Sequence, residues 1–281
     1  MTVAAPATLP AQGGSGLIQR LRVNVALGAG VVLLVIMVLA AVAAPLLASS
    51  GPTPQHWFGT DAVGRDLLSR VLYGGRVSLL IAGVGMIGSL TLGTLMGMLA
   101  AFGNRFVRPA VDRVIEIQLA FPYVLLAIAV TSAVRPSTPV LILLMVLAAW
   151  AAAARVVRAI ALQERGKDYV KAAEVLGASR LRIAMLHVFP SVLPSLVVLA
   201  AMQMAAMIVF EATLSFLGMG VQPPTPSWGG IMLDGKNYIT SAWWVASLPG
   251  LAIVVTSLAL VLIGDGLQAR TEAMRAREGD R

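Results

Sequence analysis

Six long apolar runs constrain the fold of this chain more than any other feature of its sequence. The runs lie near residues 25–48, 77–102, 109–133, 139–156, 193–217 and 244–264. A helix needs about 20 consecutive apolar residues to cross the hydrocarbon core of a bilayer. Inside lipid every backbone N–H and C=O must be satisfied within the segment, which favours helices. We therefore predict an all-α polytopic membrane protein with six transmembrane helices.

The composition supports a membrane protein and not a water-soluble one. Only 12% of the 281 residues are charged and 58% are hydrophobic, whereas soluble domains carry roughly 25% charged residues. The first run follows Arg20 and Arg22 and looks like a signal peptide, but it is longer than the roughly 7–15 apolar residues of such a segment. We therefore expect a disordered tail over 1–22, a transmembrane domain over 23–270 and a C-terminal tail over 271–281.

The basic residues predict the orientation of the chain. If the N-terminus is cytosolic, five of the 21 Lys and Arg residues lie outside and the other 16 lie inside. Cytosolic loops carry an excess of Lys and Arg, so we place both termini in the cytosol of a bacterial inner membrane. The same asymmetry accounts for the net charge of +8 without a nucleic-acid partner. The five outside residues are Arg65, Arg70, Arg76, Arg135 and Lys236.

Two glycine-rich patterns resemble nucleotide sites but lack the context for one. Gly83, Gly85 and Gly88 form GxGxxG inside an apolar run, where helix packing is the better interpretation, since the fingerprint needs a preceding strand. Gly93 and Gly97 add a GxxxG pair in the same run, which predicts a closely packed helix. The pattern from Gly230 to Lys236 resembles a phosphate-binding loop, but the next residue is not Ser or Thr.

Few side chains suggest catalytic or metal chemistry. The chain has no cysteine and two distant histidines, so we predict no metal site, no cofactor and no catalytic residue. Glu211 lies in the fifth run, where an ionisable group is a candidate for a functional role and also for a hydrogen-bonded structural carboxyl. Glu116, with Asp112 and Arg113 a turn earlier, is interpreted as interfacial, and His187 as a packing or capping residue.

The polar segment between the fourth and fifth runs predicts two short amphipathic helices. Asp168 is a good N-cap, and Gly177 suits a helix stop. Ser179 can cap the second helix, which Pro190 is expected to end. The first helix repeats apolar residues at helical spacing in Tyr169, Ala172, Ala173 and Leu176, and the second does so in Leu181, Ala184, Met185 and Val188. These faces either pack on the protein's own helix ends or dock into a groove on a soluble partner.

This loop resembles the cytosolic loop of the membrane subunits of binding-protein-dependent ABC importers. That motif has Glu-Ala-Ala, three residues, Gly, and a later apolar-Pro ending. Ala172, Ala173, Gly177 and Pro190 match it, whereas Lys171 replaces the Glu. The resemblance implies an ATPase-coupling loop over about 157–190. Its candidate residues are Tyr169, Lys171, Ala172, Ala173, Glu174, Leu176, Gly177, Ala178, Ser179 and Pro190.

Other segments resemble the second permease subunit of the dipeptide/oligopeptide/nickel importer family. They are the stretches 56–70, 150–158, 211–220, 224–229 and 264–267. Within these stretches Asp61, Arg65, Asp66 and Glu211 are candidates for a gating or a structural role.

The resemblance implies a type I ABC importer permease fold and a set of partners. This chain would pair with a paralogous permease, two cytosolic ATPase subunits that hold ATP and magnesium, and an extracytoplasmic solute-binding protein. The expected solute is a dipeptide or oligopeptide, with glutathione or chelated nickel as alternatives. A stand-alone secondary carrier needs ionisable pairs at the membrane midplane, and a membrane enzyme needs clustered His or carboxylates. The sequence offers neither, so we expect a non-catalytic subunit.

Overall fold

The computed structural model describes residues 15–43, 59–61 and 64–279, and the fold is built from helices. The predicted features at 1–14, 44–58 and 280–281, including His56, lie outside these residues. The helices are α1 (Ser15–Val42), α2 (Leu67–Phe102), α3 (Val107–Ala120), α4 (Tyr123–Ala133), α5 (Thr138–Arg165), α6 (Asp168–Val175), α7 (Arg180–Phe216), α8 (Trp228–Gly235) and α9 (Trp244–Gly279). A π-helical segment, Ile183–Val188, lies inside α7, and a 3₁₀ turn, Lys236–Tyr238, follows α8.

Five of these helices are each long and apolar enough to cross a bilayer, namely α1, α2, α5, α7 and α9. The third predicted span is not the continuous helix that we expected, because α3 and α4 meet at an angle of 85°. Pro122 lacks an N–H and restricts the residue before it to extended conformations. Phe121 accordingly has φ −89° and ψ 127°, which ends α3 at Ala120. Counted as one bent span, the pair brings the total to six.

Several helices extend beyond the predicted apolar runs. α2 begins at Leu67 and not at 77, because Asp66 caps it by accepting a hydrogen bond of 2.8 Å from the Ser69 backbone. α5 continues through its charged end to Arg165, and α9 continues to Gly279, into the predicted tail. The predicted N-terminal tail is likewise helical from Ser15. Hydropathy marks only the part of a helix that lies in lipid, so it underestimates helices whose ends reach water.

The prediction that Pro190 ends a short loop helix is wrong, because α7 runs through it without a break. Pro190 lies in the first turn after the π-helical segment Ile183–Val188. A proline in a helix removes one backbone hydrogen bond and its ring crowds the preceding turn. The wider π-helical pattern directly before it is the kind of local adjustment that accommodates such a residue.

The most extensive helix packing in the bundle joins α2 to α5 along a stripe of glycines, Gly85, Gly88, Gly93 and Gly97, here named the glycine seam. A Cβ atom on Gly93 would lie 2.6 Å from the Ala153 Cβ, and one on Gly97 would lie 2.6 Å from the Ala154 carbonyl oxygen. Only glycine permits this approach. The predicted helix-packing role of the glycine-rich run is therefore confirmed.

The bundle has two ends that carry the candidate residues. We name the end with α6 and residues 166–188 the loop end, and the end with Asp61, Arg70 and Asp234 the clamp end. α2 runs from the clamp end to the loop end, where Arg165 donates to its Ala101 carbonyl at 3.2 Å. α7 runs in the opposite direction and returns the chain to α8.

Candidate functional site

The loop end begins with α6, whose start differs from the prediction. The N-cap is Lys167, with extended backbone angles and no side-chain cap. Asp168 is the first helical residue and not the cap, and its carboxylate accepts from the Lys171 ammonium at 3.0 Å. An acidic residue in the first turn still stabilises the helix dipole. Lys171, which stands where the family motif has Glu, thus forms an exposed ion pair within α6.

Gly177 ends α6 with a Schellman motif, as the sequence predicts. The Gly177 N–H donates to the Glu174 carbonyl and the Ala178 N–H to the Ala173 carbonyl, both at 3.0 Å. Gly177 has φ +83°, a conformation that is costly for residues with a Cβ. Ser179 then caps α7 by accepting from the Arg182 backbone at 3.3 Å, which confirms its predicted capping role.

One side of this loop packs on the bundle and the other is left open. Val170 is fully buried among α5 and α7 side chains, and Ala173 packs on the same cluster. The open side, here named the loop face, exposes five large apolar residues. They are Val175, Leu176, Leu181, Met185 and Leu186, with the first three exposed by 88%, 87% and 72%.

The predicted apolar stripe of the second loop helix is divided between these two sides. Ala184 and Val188 are buried, whereas Leu181 and Met185 are exposed. Residues four apart stay on one side, Leu181 with Met185 and Ala184 with Val188, whereas residues three apart lie on different sides. One part of each predicted apolar face therefore packs on the protein's own helices, and the other part is exposed.

The loop is tied to the end of α5 by polar contacts. The Tyr169 hydroxyl donates to Glu164 Oε2 at 3.0 Å, and the Lys167 ammonium donates to Glu164 Oε1 at 2.7 Å. The ring of His187 stacks on Tyr169 at 6.5 Å between centroids, which confirms the packing role predicted for this histidine. On the neighbouring side Arg165 Nε lies 3.9 Å from Glu174.

The clamp end brings together charged side chains that are distant in sequence. Asp61 Oδ2 accepts from Arg65 Nε at 2.7 Å and from Arg70 at 2.8 Å. Arg70 also donates to Asp234 Oδ2 at 2.8 Å. We name these four residues, Asp61, Arg65, Arg70 and Asp234, the clamp. It joins the start of α2 to α8, so Asp61 and Arg65 hold the fold together here.

Sequence reasoning missed two members of the clamp. In the sequence Arg70 appears only among the outside charges, and Asp234 lies within the pattern that resembles a phosphate-binding loop. The spacing of Asp61, Arg65 and Arg70 around the start of a helix was the available signal for the first. No local pattern points to Asp234, since it lies 164 residues from Arg70. The structure places Gly230 to Gly235 of that pattern within helix α8.

Glu211 lies fully buried at the junction of α7, α2 and α8. Its Oε1 accepts from the Ser215 hydroxyl at 2.7 Å. The hydroxyls of Ser78 and Ser227 lie beside this carboxyl group, whose Oε2 is buried and makes no hydrogen bond of ordinary geometry within the described residues. Ser78 in turn accepts from the Trp228 backbone at 3.1 Å. The site is a polar connection between three helices, and a structural role for Glu211 stays a prediction.

The remaining charged candidates form ion pairs on α3 and between α3 and α5. Arg113 lies 3.3 Å from Glu116 in an exposed pair on α3. Asp112 accepts from Arg158 of α5 at 2.8 Å. Within the described residues no group of three His, Cys, Asp or Glu side chains is arranged to hold a metal ion.

Comparison with known proteins identifies a family. Residues 93–274 match the family described as "Binding-protein-dependent transport system inner membrane component". A Brucella abortus protein, provisionally named a peptide transport system permease protein, is 43% identical over 262 residues, which cover 89% of this chain and 88% of the relative. The di/tripeptide transport system permease protein DppC of Pseudomonas aeruginosa is 38% identical over 85% of each chain. The dipeptide transport system permease protein DppC of Escherichia coli is 38% identical, over 81% of this chain and 76% of the relative.

The fold agrees with a solved transporter. The inward-facing MetNI methionine ABC transporter contains a chain that superposes with a TM-score of 0.58 at 21% identity, covering 72% of this chain and 95% of that one. The six-span helical architecture predicted from sequence is therefore that of a type I ABC importer permease. This chain belongs to the family of binding-protein-dependent transport system inner membrane components.

Proposed function

We propose that this chain is the membrane permease of a peptide importer, and that its loop end docks on a cytosolic ATPase. It pairs with a paralogous permease to enclose the path, and an extracytoplasmic binding protein delivers the solute. Two ATPase subunits supply ATP and magnesium chemistry, and this chain contributes no catalytic group. Both termini and the loop end lie in the cytosol, and the clamp end lies outside.

The main observation that supports this proposal is the exposure of the loop face. Its large apolar residues are exposed and stand beside charged ones at the loop end of the bundle. Apolar side chains exposed to this extent on a charged loop indicate a protein interaction site. A short amphipathic helix that presents such residues fits a groove on a folded partner.

The geometry also supports a coupling role. α6 is held to α5 and α7 through Val170 and the polar contacts of Glu164. α7 then runs without interruption from Ser179 to the neighbourhood of Glu211. When the ATPases close on ATP, the loop moves and the spans move with it. Such rigid-body motion alternates the path between outward-facing and inward-facing states.

The choice of peptide as solute follows from the relatives. The Pseudomonas and Escherichia proteins, named for di/tripeptide and dipeptide transport, match this chain over more than three quarters of their length. A glutathione or a nickel-chelate importer is the alternative within the same class. A stand-alone carrier is not proposed, because the family works with a binding protein.

Removal of the loop face tests the docking. In the assembled transporter, the double variant Val175→Ser, Leu176→Ser should reduce co-purification of the ATPase subunits by about tenfold or more, since two exposed apolar anchors are worth about 1.5–3 kcal/mol each when buried. The control is Ile239→Ser, which changes an equally apolar exposed residue beyond α8. Equal ATPase recovery with both variants would overturn the docking site.

Two further measurements test the orientation and the solute. Since the chain lacks cysteine, single cysteines at Ser179 and Asn237 can be probed on intact cells with an impermeant thiol reagent. Only Asn237→Cys should react.

Cells that contain the complete transporter should take up radiolabelled dialanine in competition with other dipeptides. Competition by glutathione or chelated nickel, but not by dipeptides, would replace the peptide proposal.

A further inference from the structure

The helix α6 is attached to the bundle by few side chains, and those side chains must carry any force applied to it. Its eight residues bury one large apolar side chain, Val170. Most of the others are exposed on this chain, and α6 is linked to α7 by the left-handed turn at Gly177. A helix held this lightly can tilt independently of the spans unless polar contacts fix its angle.

Two adjacent residues at the end of α5 supply those contacts. Glu164 is buried and accepts from the Tyr169 hydroxyl through one oxygen and from the Lys167 ammonium through the other. Lys167 is the N-cap of α6 and Tyr169 is its second residue. The carboxylate of Glu164 therefore holds the start of α6 through two hydrogen bonds.

The second residue, Arg165, forms an ion pair with the other end of α6. Its Nε lies 3.9 Å from Glu174 in the last turn of α6. The same guanidinium donates to the Ala101 carbonyl at 3.2 Å and lies 5.5 Å from the centre of the Phe102 ring. Ala101 and Phe102 are at the end of α2, so this contact joins three helices.

We propose that Glu164 and Arg165 form a latch, with Tyr169 and Glu174 as its partners, that makes α6 move as one body with α5 and α2. The latch residues are positioning residues for coupling and do not touch the solute. Their partners lie on α6 at positions 169 and 174, so one pair fixes the start of the helix and the other its end. Two attachment points on a rigid rod define its direction, whereas one leaves it free to rotate.

The chemistry of the Glu164–Tyr169 pair suits a permanent contact. Burial raises the pKa of Tyr169 above its ordinary value, and the neighbouring Glu164 carboxylate raises it further. The phenol therefore keeps its proton at physiological pH and remains a donor. Stacking of His187 on the tyrosine ring holds the side chain against α7 as well.

Distance measurements on the assembled transporter test the latch directly. Spin labels are placed at Arg155→Cys on α5 and Asp168→Cys on α6, two exposed positions in a chain without native cysteine. With the latch intact, the distance between labels should be narrow and the same in the ATP-free and vanadate-trapped states. Adding Tyr169→Phe should broaden the distribution or make it depend on the nucleotide state.

Activity measurements complete the test. Tyr169→Phe should lower the stimulation of ATP hydrolysis by the binding protein about fivefold, the scale of one hydrogen bond, while ATPase subunits still co-purify. Glu164→Ala should behave likewise, and Glu164→Gln, which keeps an acceptor for the hydroxyl, should restore most of the stimulation. Tyr238→Phe is the matched control, since this tyrosine is equally exposed at 43%. The pair Glu164→Ala, Tyr169→Phe should be no worse than either change alone.

The outcomes separate this inference from the proposed function on which it rests. Unchanged label distances and unchanged stimulation in Tyr169→Phe would overturn the latch. A fall of the same size in Tyr238→Phe would do so too, because the effect would not be specific. If the wild-type chain fails to bind ATPase subunits at all, the proposed function fails, whereas the label distances within the chain still report whether the latch holds α6.

Discussion

The clamp end and the loop end of this protein use their side chains in opposite ways. At the clamp end Asp61 has a side chain only 3% exposed and binds two arginines, both of which also pair with Asp234. At the loop end the most exposed residues are apolar, and the ion pair of Asp168 with Lys171 involves a carboxylate that is 98% exposed. The clamp end pairs its own charges, whereas the loop end leaves apolar surface exposed.

This difference shows that the positions of charged residues do not by themselves identify the surface through which the chain functions. Buried, mutually paired charges hold helices in place, and breaking one pair leaves an uncompensated partner. The loop face has little internal role, so its composition follows from what it contacts. The two ends should therefore respond differently to substitution, with stability affected at the clamp end and partner coupling at the loop end.

The largest effect is expected from Gly177→Trp, which should abolish import while the spans remain inserted. Gly177 has φ +83° and a Cβ there would meet nothing within 4 Å in this chain. The damage therefore comes from the backbone conformation and from the partner surface, not from a clash inside the permease. Solute uptake and co-purification of the ATPase subunits are the measurements.

Gly177→Asn is the matched control, because asparagine tolerates positive φ better than other residues. It should keep a substantial part of the uptake that Gly177→Trp loses. Normal import by Gly177→Trp would mean that the loop is not the surface that couples this chain to the ATPase. The proposed functional difference between the two ends would then be disproved.

An intermediate effect is expected from Asp61→Asn, this time on stability. The substitution removes the charge that pairs with Arg65 and Arg70, for which we expect a loss of about 3 kcal/mol. The melting temperature in detergent should fall by about 6 °C or more, at roughly 2–4 °C per kcal/mol for a chain of this size. Intrinsic tryptophan fluorescence can follow the transition, since Trp228 and Trp244 lie near this end.

Asp168→Asn removes an ion pair of the same kind at the loop end. Its carboxylate is exposed, and exposed pairs contribute about 0–1 kcal/mol, so the melting temperature should change by less than about 4 °C. Equal shifts for Asp61→Asn and Asp168→Asn would contradict the distinction between the two ends.

The smallest effect is expected from Glu211→Gln, which should keep most transport activity. The amide oxygen can still accept from the Ser215 hydroxyl, which now donates at 2.7 Å. The amide also preserves the volume of a fully buried side chain. A fall in uptake of more than about tenfold at normal assembly would correspond to at least about 1.4 kcal/mol in an activation barrier. Glu211 would then have a gating role and not the structural one.

Hydropathy predicts most of the helices of this fold, but it does not predict the residues at which they begin and end. Five runs correspond to helices that each qualify as a span, but Pro122 turns the third into a bent pair. Pro190, by contrast, lies within a continuous helix. A proline has the same local chemistry in both places, so the difference depends on the neighbouring turn and on packing, which the local sequence does not reveal.

The same holds for the candidate residues. Gly177 and Ser179 were identifiable because caps and stops obey local rules. Asp234 and Glu164 were not, because each acts through a side chain that the fold brings near. Glu164 has Tyr169 only five residues away, yet the contact forms because the chain turns at Gly166 between two helices.

The glycine seam has a consequence for which parts of the transporter can rearrange. Backbone atoms of α2 and α5 approach so closely that a methyl group on Gly93 or Gly97 would overlap the facing helix. Sliding α2 by one position would present larger residues, such as Leu92 and Met96, to the same narrow gap. The two helices therefore cannot shear past each other during the cycle. Opening and closing must take place at other helix boundaries, with α2 and α5 travelling together as a single rigid unit.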